Sequence, residues 1–70
     1  MSAMSKIKLR NKKFLDQKIR EYGGYGKLAD QLGISRQSVY KWPQAPVARC
    51  RDLERILGVM RQELRPEIFG

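Results

Sequence analysis

The stretch YGKLADQLGISRQSVYKW, residues 25–42, predicts two short helices joined by a tight turn. Leu28, Ala29 and Leu32 have the spacing i, i+1, i+4, which is typical of the buried side of a helix. Gly33 then supplies the residue type that leaves a helix with positive φ without a steric clash. Ser35 is suited to begin the next helix, because its hydroxyl accepts a hydrogen bond from a free backbone N–H. We therefore expect helices over residues 26–32 and 36–42.

The second of these helices has an apolar side and a polar side. Val39 and Trp42 form the apolar side, and Pro43 ends the helix because proline cannot continue the hydrogen-bond ladder. The outer side is rich in hydrogen-bond donors and consists of Arg36, Gln37, Tyr40 and Lys41. A helix with such an exposed face, held out by a small helical scaffold, is suited to entering the major groove of DNA.

These four residue types match groups that base pairs present in the major groove. Arg36 can bridge O6 and N7 of guanine, and Gln37 can pair with N6 and N7 of adenine. Both begin the helix, and the N-terminus of a recognition helix penetrates the groove deepest. One turn later, Tyr40 can contact a thymine methyl group or a phosphate. Lys41 can bind either a base or the DNA backbone. We predict that all four read bases, the competing interpretation being a solvated polar helix face.

Contacts to the DNA backbone are predicted at three further places. Free N–H groups at the start of the first helix of the pair form an anion site, which would involve Tyr25, Gly26 and Lys27. The hydroxyls of Ser35 and Ser38 can donate to phosphate, and Arg49 can clamp the flanking backbone. For each of these residues an ordinary structural or solvated role is an equal alternative. Such contacts position a protein on DNA without reading its sequence.

The composition also favours a nucleic-acid partner. The chain of 70 residues makes one small domain, and 15 Lys and Arg against 7 Asp and Glu give a net charge of +8. Residues 1–13 contain Lys and Arg but no acid, and no acid lies between Asp30 and Asp52. This distribution predicts a positive surface and a polyanionic partner.

Several other classes of protein are disfavoured. The sequence contains no apolar run of about 18 residues for a membrane span and no hydrophobic segment of a secretory signal. It contains no histidine, and Cys50 alone forms neither an internal disulfide nor a zinc site. No acid–base pair or nucleophile constellation is recognisable. We therefore expect a cytoplasmic protein without enzymatic activity, cofactor or metal.

Outside the helix pair, the chain predicts an all-helical domain over residues 11–70, preceded by a flexible basic arm over residues 1–10. A short edge strand is the alternative for the arm. On DNA the arm would either enter a neighbouring minor groove or stay disordered and add nonspecific attraction. The first helix is expected to begin with Asn11 as its N-cap, to end at Gly23–Gly24, and to bury Phe14, Leu15, Ile19 and Tyr22.

A fourth helix is expected to begin at Pro46, which suits a first helical turn. Gly58 closes it, and its buried stripe is predicted to contain Val47, Cys50, Leu53, Ile56 and Leu57. The segment from Met60 to Leu64 predicts one more helical turn. The domain thus has four helices, or five if this last turn forms.

The spacing of the helix pair matches the helix-turn-helix pattern of phage repressors, through Ala29, Gly33, Ile34, Val39 and Trp42. Further similarity lies in Gly23–Gly24, Ala45–Pro46, Arg49–Cys50 and the tail Leu64-Arg65-Pro66-Glu67-Ile68-Phe69. In these residues the chain resembles the Cro/YdaS-like family of small phage and prophage transcriptional regulators, over about residues 12–69. The chain departs from that pattern in its basic N-terminal extension and in Leu57-Gly-Val-Met, where a polar N-cap is expected.

The resemblance implies a lambda-repressor-like, Cro-type fold, with base-reading positions at Arg36, Gln37, Tyr40 and Lys41. The leading hypothesis is a sequence-specific regulator of transcription that binds double-stranded DNA and blocks a promoter. Two copies would occupy a palindromic operator with half-sites about 10 base pairs apart.

The apolar tail is open to two interpretations. A dimer patch can be formed by Leu64, Ile68 and Phe69, or the tail can fold back over its own core. Two alternative functions also remain. One is an antitoxin-like module that neutralises a protein partner, and the other is a nonspecific nucleic-acid binder driven by charge alone.

Overall fold

The computed structural model of the protein describes residues 3–70, which form helices and connecting loops without a β-strand. The α-helices are α1 (Ala3–Tyr22), α2 (Tyr25–Leu32), α3 (Arg36–Tyr40), α4 (Cys50–Leu57), α5 (Arg61–Leu64) and α6 (Pro66–Phe69). A single 3-10 turn, Val47–Arg49, precedes α4. The prediction of an all-helical fold is confirmed, and the C-terminal region adds two four-residue helices where one turn was expected. No helix within residues 3–70 has both the length and the apolar character needed to cross a membrane.

The start of α1 differs from the prediction. The helix begins at Ala3 instead of Asn11, so that residues 3–10, expected as a flexible arm or a short strand, form its first turns. Met1 and Ser2 lie outside the described residues. Residues 3–10 contain neither glycine nor proline and include Ala, Met, Leu, Lys and Arg, which are favourable helix formers.

Asn11 is a buried helix residue and not an N-cap. Its side chain is 1% exposed, and its amide nitrogen donates to Gln44 Oε1 at 2.9 Å and to Glu67 Oε1 at 3.1 Å. An asparagine is favoured at an N-cap because its side chain can bind the local backbone. Here the side chain binds distant partners instead, and the backbone stays helical.

The connection between α2 and α3 follows the prediction closely. Gly33 adopts a left-handed conformation with φ of 70°, and Ile34 N donates back to Ala29 O at 3.1 Å. Ser35 caps α3, because its Oγ accepts from Ser38 N at 3.1 Å. The α3 helix ends at Tyr40, two residues before the predicted end, since Trp42 N bonds to Val39 O in a tighter turn before Pro43.

A buried core joins α1 to the helix pair and to the C-terminal helices. Its apolar members are Leu15, Ile19, Leu28, Ala29, Val39, Ala45, Cys50, Leu53, Val59 and Leu64. Val47 was predicted to belong to it but is 48% exposed. The reason is that Val47 lies in the 3-10 turn, whose three residues per turn break the α-helical periodicity of the stripe.

The tail packs on its own domain. Leu64 is fully buried and Phe69 packs against the core, whereas Ile68 is 48% exposed. Arg65 fixes the approach of α6, since its Nη1 donates to Ala45 O at 2.8 Å and its Nε pairs with Glu67 Oε2 at 2.9 Å. The tail therefore folds back over its own core, and Leu64 is unavailable for a dimer patch.

Candidate nucleic-acid interface

The four side chains predicted to read bases lie on one concave face with Tyr25. This open surface has a volume of about 490 Å³, and we call it the recognition groove; it is lined by Tyr25, Arg36, Gln37, Tyr40 and Lys41. The four residues from the second helix of the pair are all exposed. Arg36 and Gln37 begin α3, Tyr40 ends it and Lys41 follows directly, so that all four lie along one side of the helix.

The groove has a firm base because α3 is held at both ends and from below. Val39, on the opposite side of α3, is fully buried in the core. Ser35 caps the start of the helix. A methyl group placed on Gly26 would lie 3.7 Å from Arg36 Cδ, so the Arg36 side chain passes close to the first turn of α2. The donors of the groove are therefore displayed by a short helix whose other side is anchored in the core.

Tyr25 joins the groove to α1. Its hydroxyl donates to Asp16 Oδ1 at 2.5 Å, and its ring lies 5.2 Å from the Tyr40 ring at a tilted angle of 60°. Burial, together with this hydrogen bond to a carboxylate, raises the pKa of Tyr25 to about 12. The phenol is therefore neutral at physiological pH, and its ring supports Tyr40 from the side of α2.

Lys12 adds a second link from α1 to the groove. Its Nζ lies 3.3 Å from Asp16 Oδ1 and donates to the carbonyl oxygen of Tyr40 at 3.5 Å. Neither Lys12 nor Asp16 was predicted to belong to this site. Their i, i+4 spacing indicates an ion pair, but no local pattern indicates that the pair meets Tyr25 and the end of α3.

The residues predicted to contact the DNA backbone lie at three places: the start of α2, the start of α3 and the 3-10 turn before α4. Gly24 precedes α2 and provides no side-chain cap, which leaves the N–H groups of its first turn, at Tyr25, Gly26 and Lys27, without a side-chain partner. The Lys27 side chain lies back along the helix end, with its Nζ 4.9 Å from the centre of the Tyr22 ring.

The two serines and Arg49 have positions of their own. Ser35 Oγ and Ser38 Oγ lie 2.8 Å apart and hydrogen-bond to each other at the start of α3, where both residues are exposed. Arg49 is half-buried in the 3-10 turn before α4 and does not line the recognition groove. The structure thus gathers the predicted contacts around α2 and α3, except for Arg49.

Other polar groups of the domain bind to each other and connect neighbouring segments of the chain. Glu54 of α4 accepts from Arg61 N and from Arg61 Nη2, each at 2.8 Å, and these bonds lower the pKa of the carboxylate. Burial raises the pKa of the Cys50 thiol, whose Sγ lies 3.4 Å from Pro46 O. Among the side chains that the structure describes, no three His, Cys, Asp or Glu groups are placed to hold a metal ion.

Comparison with known proteins identifies the family of this chain. The model of a protein family described as bacterial toxin YdaS matches residues 15–70. The matched range contains the recognition groove and all helices from α2 to α6, and it begins inside α1. No curated protein and no solved structure matches the chain.

Proposed function

The chain belongs to the YdaS family, and we propose that this member is a sequence-specific regulator of transcription that binds double-stranded DNA. The observation that carries the proposal is the recognition groove. Arginine, glutamine, tyrosine and lysine side chains stand together on one exposed face of a short helix, whose other face is buried through Val39. This is the arrangement by which a helix-turn-helix protein presents donors to base edges.

Arg36 and Gln37 are the principal readers in this proposal. Arg36 would bind O6 and N7 of guanine, and Gln37 would bind N6 and N7 of adenine. Each bidentate pair discriminates against the wrong base by about 1–3 kcal/mol. Tyr40 is 67% exposed beside them, so that its ring is accessible to a thymine methyl group, and Lys41 extends the positive charge toward the flanking phosphates.

Phosphate contacts would orient the helix in the groove. In this proposal the N–H groups at the start of α2 would bind a phosphate of one strand, because Tyr25 belongs both to this helix end and to the recognition groove. Ser35 and Ser38 can add donors at the start of α3, and Arg49 would reach a more distant phosphate. These contacts supply affinity and register but no base discrimination.

Regulation would follow from occupancy of an operator. A reading helix of five residues reaches few base pairs, so we propose that two copies bind a palindromic site with half-sites about 10 base pairs apart. Because the tail packs on its own core, pairing would occur on DNA and would not depend on an exposed apolar tail.

Selection of binding sites from a random duplex library, at near-physiological salt, tests this function. The proposal predicts an enriched palindrome for the wild type. Arg36→Ala/Gln37→Ala should lose the enrichment, whereas Arg51→Ala/Gln62→Ala should keep it. The control changes the same two residue types at exposed positions outside the recognition groove. An absence of enrichment for the wild type would exclude sequence-specific binding.

A second candidate function is favoured by the description of the family as a bacterial toxin. In this proposal the protein acts through a protein partner, as a toxin-related or antitoxin-like module. Growth of a bacterial host that expresses the wild type or Arg36→Ala/Gln37→Ala separates the candidates. An effect on growth that survives the double substitution favours a protein partner, whereas an effect that disappears with it follows from DNA occupancy.

A further inference from the structure

A second positive surface adjoins the recognition groove on the first half of α1. We call it the α1 basic surface; it is an open concave region of about 250 Å³ lined by Lys8, Leu9, Lys12 and Pro43. Pro43 follows α3 in the chain, and Lys12 Nζ reaches the carbonyl oxygen of Tyr40 at the end of that helix. The α1 basic surface is therefore continuous with the C-terminal end of the reading helix.

Of the two lysines of this surface, Lys12 is paired with a carboxylate and Lys8, within the part of the chain that the structure describes, is not. The first carboxylate in the chain is Asp16, and it is held by Lys12 at 3.3 Å and by the Tyr25 hydroxyl at 2.5 Å. Among the described residues, no carboxylate lies within 4.0 Å of the Lys8 ammonium group. The α1 basic surface thus offers positive charge beside a face already suited to a polyanion.

We propose that the α1 basic surface binds the DNA phosphates that flank the bases read by α3. The inference rests on the proposed function and adds to it a second point of attachment. Lysine suits this role because its ammonium is a point charge on a flexible stem, which binds phosphate without demanding one geometry. Lys8, Leu9 and Lys12 precede residues 15–70, so the charged part of this surface is not in the region matched to the family, whereas Pro43 is.

The opposite face of the same helical turns provides a matched control. Lys6 and Arg10 are exposed and line a neighbouring surface with Lys13 and with Leu9, which the two surfaces share. Lys6 lies two residues before Lys8, and Arg10 lies two residues before Lys12. A separation of two residues corresponds to a rotation of about 200° around an α-helix. Removing two charges from either face changes the net charge equally, so only a directed contact distinguishes the two pairs.

The experiment measures the dissociation constant for the selected operator as a function of salt concentration. Each neutralised phosphate contributes about 0.9 to the slope of log K against log salt. We expect Lys8→Gln/Lys12→Gln to reduce this slope by about 1.8 relative to the wild type. We expect Lys6→Gln/Arg10→Gln to reduce it by less than about 0.5, because these side chains point away from the phosphates.

Two results overturn the proposal: an equal loss of slope in both double variants, and a slope in Lys8→Gln/Lys12→Gln that equals the wild-type slope. Circular dichroism and thermal unfolding establish that each variant is folded. Because Lys12→Gln also removes the ion pair with Asp16, Lys8→Gln alone is the decisive variant, with an expected slope reduction of about 0.9.

A separate arm distinguishes failure of this inference from failure of the proposed function. If site selection yields no preferred sequence, the same slopes are measured on one fixed duplex of arbitrary sequence. A loss confined to Lys8→Gln/Lys12→Gln would then uphold the phosphate contact while the regulator proposal fails. Equal losses on that duplex would overturn both.

Discussion

The amide of Asn11 in α1 donates to the carboxylate of Glu67 in α6 at 3.1 Å, joining residues that are 56 positions apart. The same amide donates to Gln44 at 2.9 Å, and Arg65 approaches the other side of the carboxylate. This cluster connects the first helix, the loop after α3 and the last helix at one point. The tail is consequently part of the fold that positions the recognition groove.

Asn11→Ala should lower the free energy of unfolding by about 2–3 kcal/mol. The substitution removes a fully buried side chain together with its hydrogen bonds to Gln44 and Glu67, although Glu67 keeps its bond from Arg65. A hydrogen bond to a charged group contributes about 1.5–3 kcal/mol. Urea unfolding measures the change. Gln17→Ala, at an exposed position of the same helix, is the control and should stay within about 0.5 kcal/mol of the wild type.

Glu67 gives the domain a dependence on acid pH. Burial alone would raise the pKa of Glu67, but hydrogen bonds from Arg65 and Asn11 bring it below the ordinary value of 4.5. The folded state therefore binds fewer protons than the unfolded state near that pH. The resulting stability is fully present above about pH 4.5 and is lost as the pH falls through the folded-state pKa.

We accordingly expect Glu67→Gln to be less stable than the wild type at pH 7, with a difference that shrinks as the pH falls below 4.5. Urea unfolding over a series of pH values measures this difference. Glu21→Gln, which replaces an exposed carboxylate of α1, controls for the loss of one negative charge. A difference for Glu67→Gln that is independent of pH would contradict the assigned role of the carboxylate.

Tyr25 should be the tyrosine that resists alkaline ionisation. With a pKa of about 12 against the ordinary 10.0, the folded state keeps a proton that the unfolded state releases. Its contribution to stability is complete below pH 10 and is lost as the pH rises through about 12. Absorbance titration near 295 nm should detect this phenol in the wild type and in Tyr22→Phe, but not in Tyr25→Phe.

The same substitution tests the support of the groove. Tyr25→Phe removes the hydrogen bond to Asp16 but keeps the ring beside Tyr40. We expect a loss of about 1–3 kcal/mol in the free energy of unfolding, as for a hydrogen bond to a charged group, with the selected operator unchanged. Tyr25→Ala should weaken operator binding as well, because Tyr40 loses its neighbour.

Substitution by alanine should lower the free energy of unfolding at one valine and leave it nearly unchanged at another. Val39 is fully buried beneath α3, whereas Val47 is 48% exposed. Val39→Ala should cost about 2 kcal/mol, from two buried methyl groups, and Val47→Ala should stay within about 0.5 kcal/mol. Thermal and urea unfolding of both variants measure the contrast. Equal costs would mean that the packing beneath α3 has been assigned incorrectly.

The features predicted correctly from sequence are those that local physics determines. Gly33 and Ser35 are identified by conformational preference and capping, and the groove residues of α3 share one face through helical periodicity alone. The predictions that proved wrong concern positions where contacts with residues distant in the sequence determine the conformation. Asn11 has the preference of an N-cap, but Gln44 and Glu67 draw its side chain into the interior.

Other features depend on contacts between elements. A 3-10 turn in place of the first α-helical turn rotates Val47 outward, and the sequence pattern alone does not distinguish these two turns. Likewise, Asp16 and Tyr25 lie on different helices, so their hydrogen bond depends on the packing of α1 against α2. The hydrogen-bond donors of the candidate site could therefore be predicted from the sequence, whereas the residues that support those donors could not.

The proposed function requires that α3 reads base sequence through Arg36 and Gln37. The most direct measurement is the ratio of dissociation constants for a scrambled duplex and for the selected operator, at one salt concentration. We predict that Arg36→Ala/Gln37→Ala lowers this ratio at least about 30-fold, since two contacts each contribute about 1 kcal/mol or more. Arg51→Ala/Gln62→Ala should leave the ratio near the wild-type value. A double variant at Arg36 and Gln37 that retains the wild-type ratio would contradict the claim.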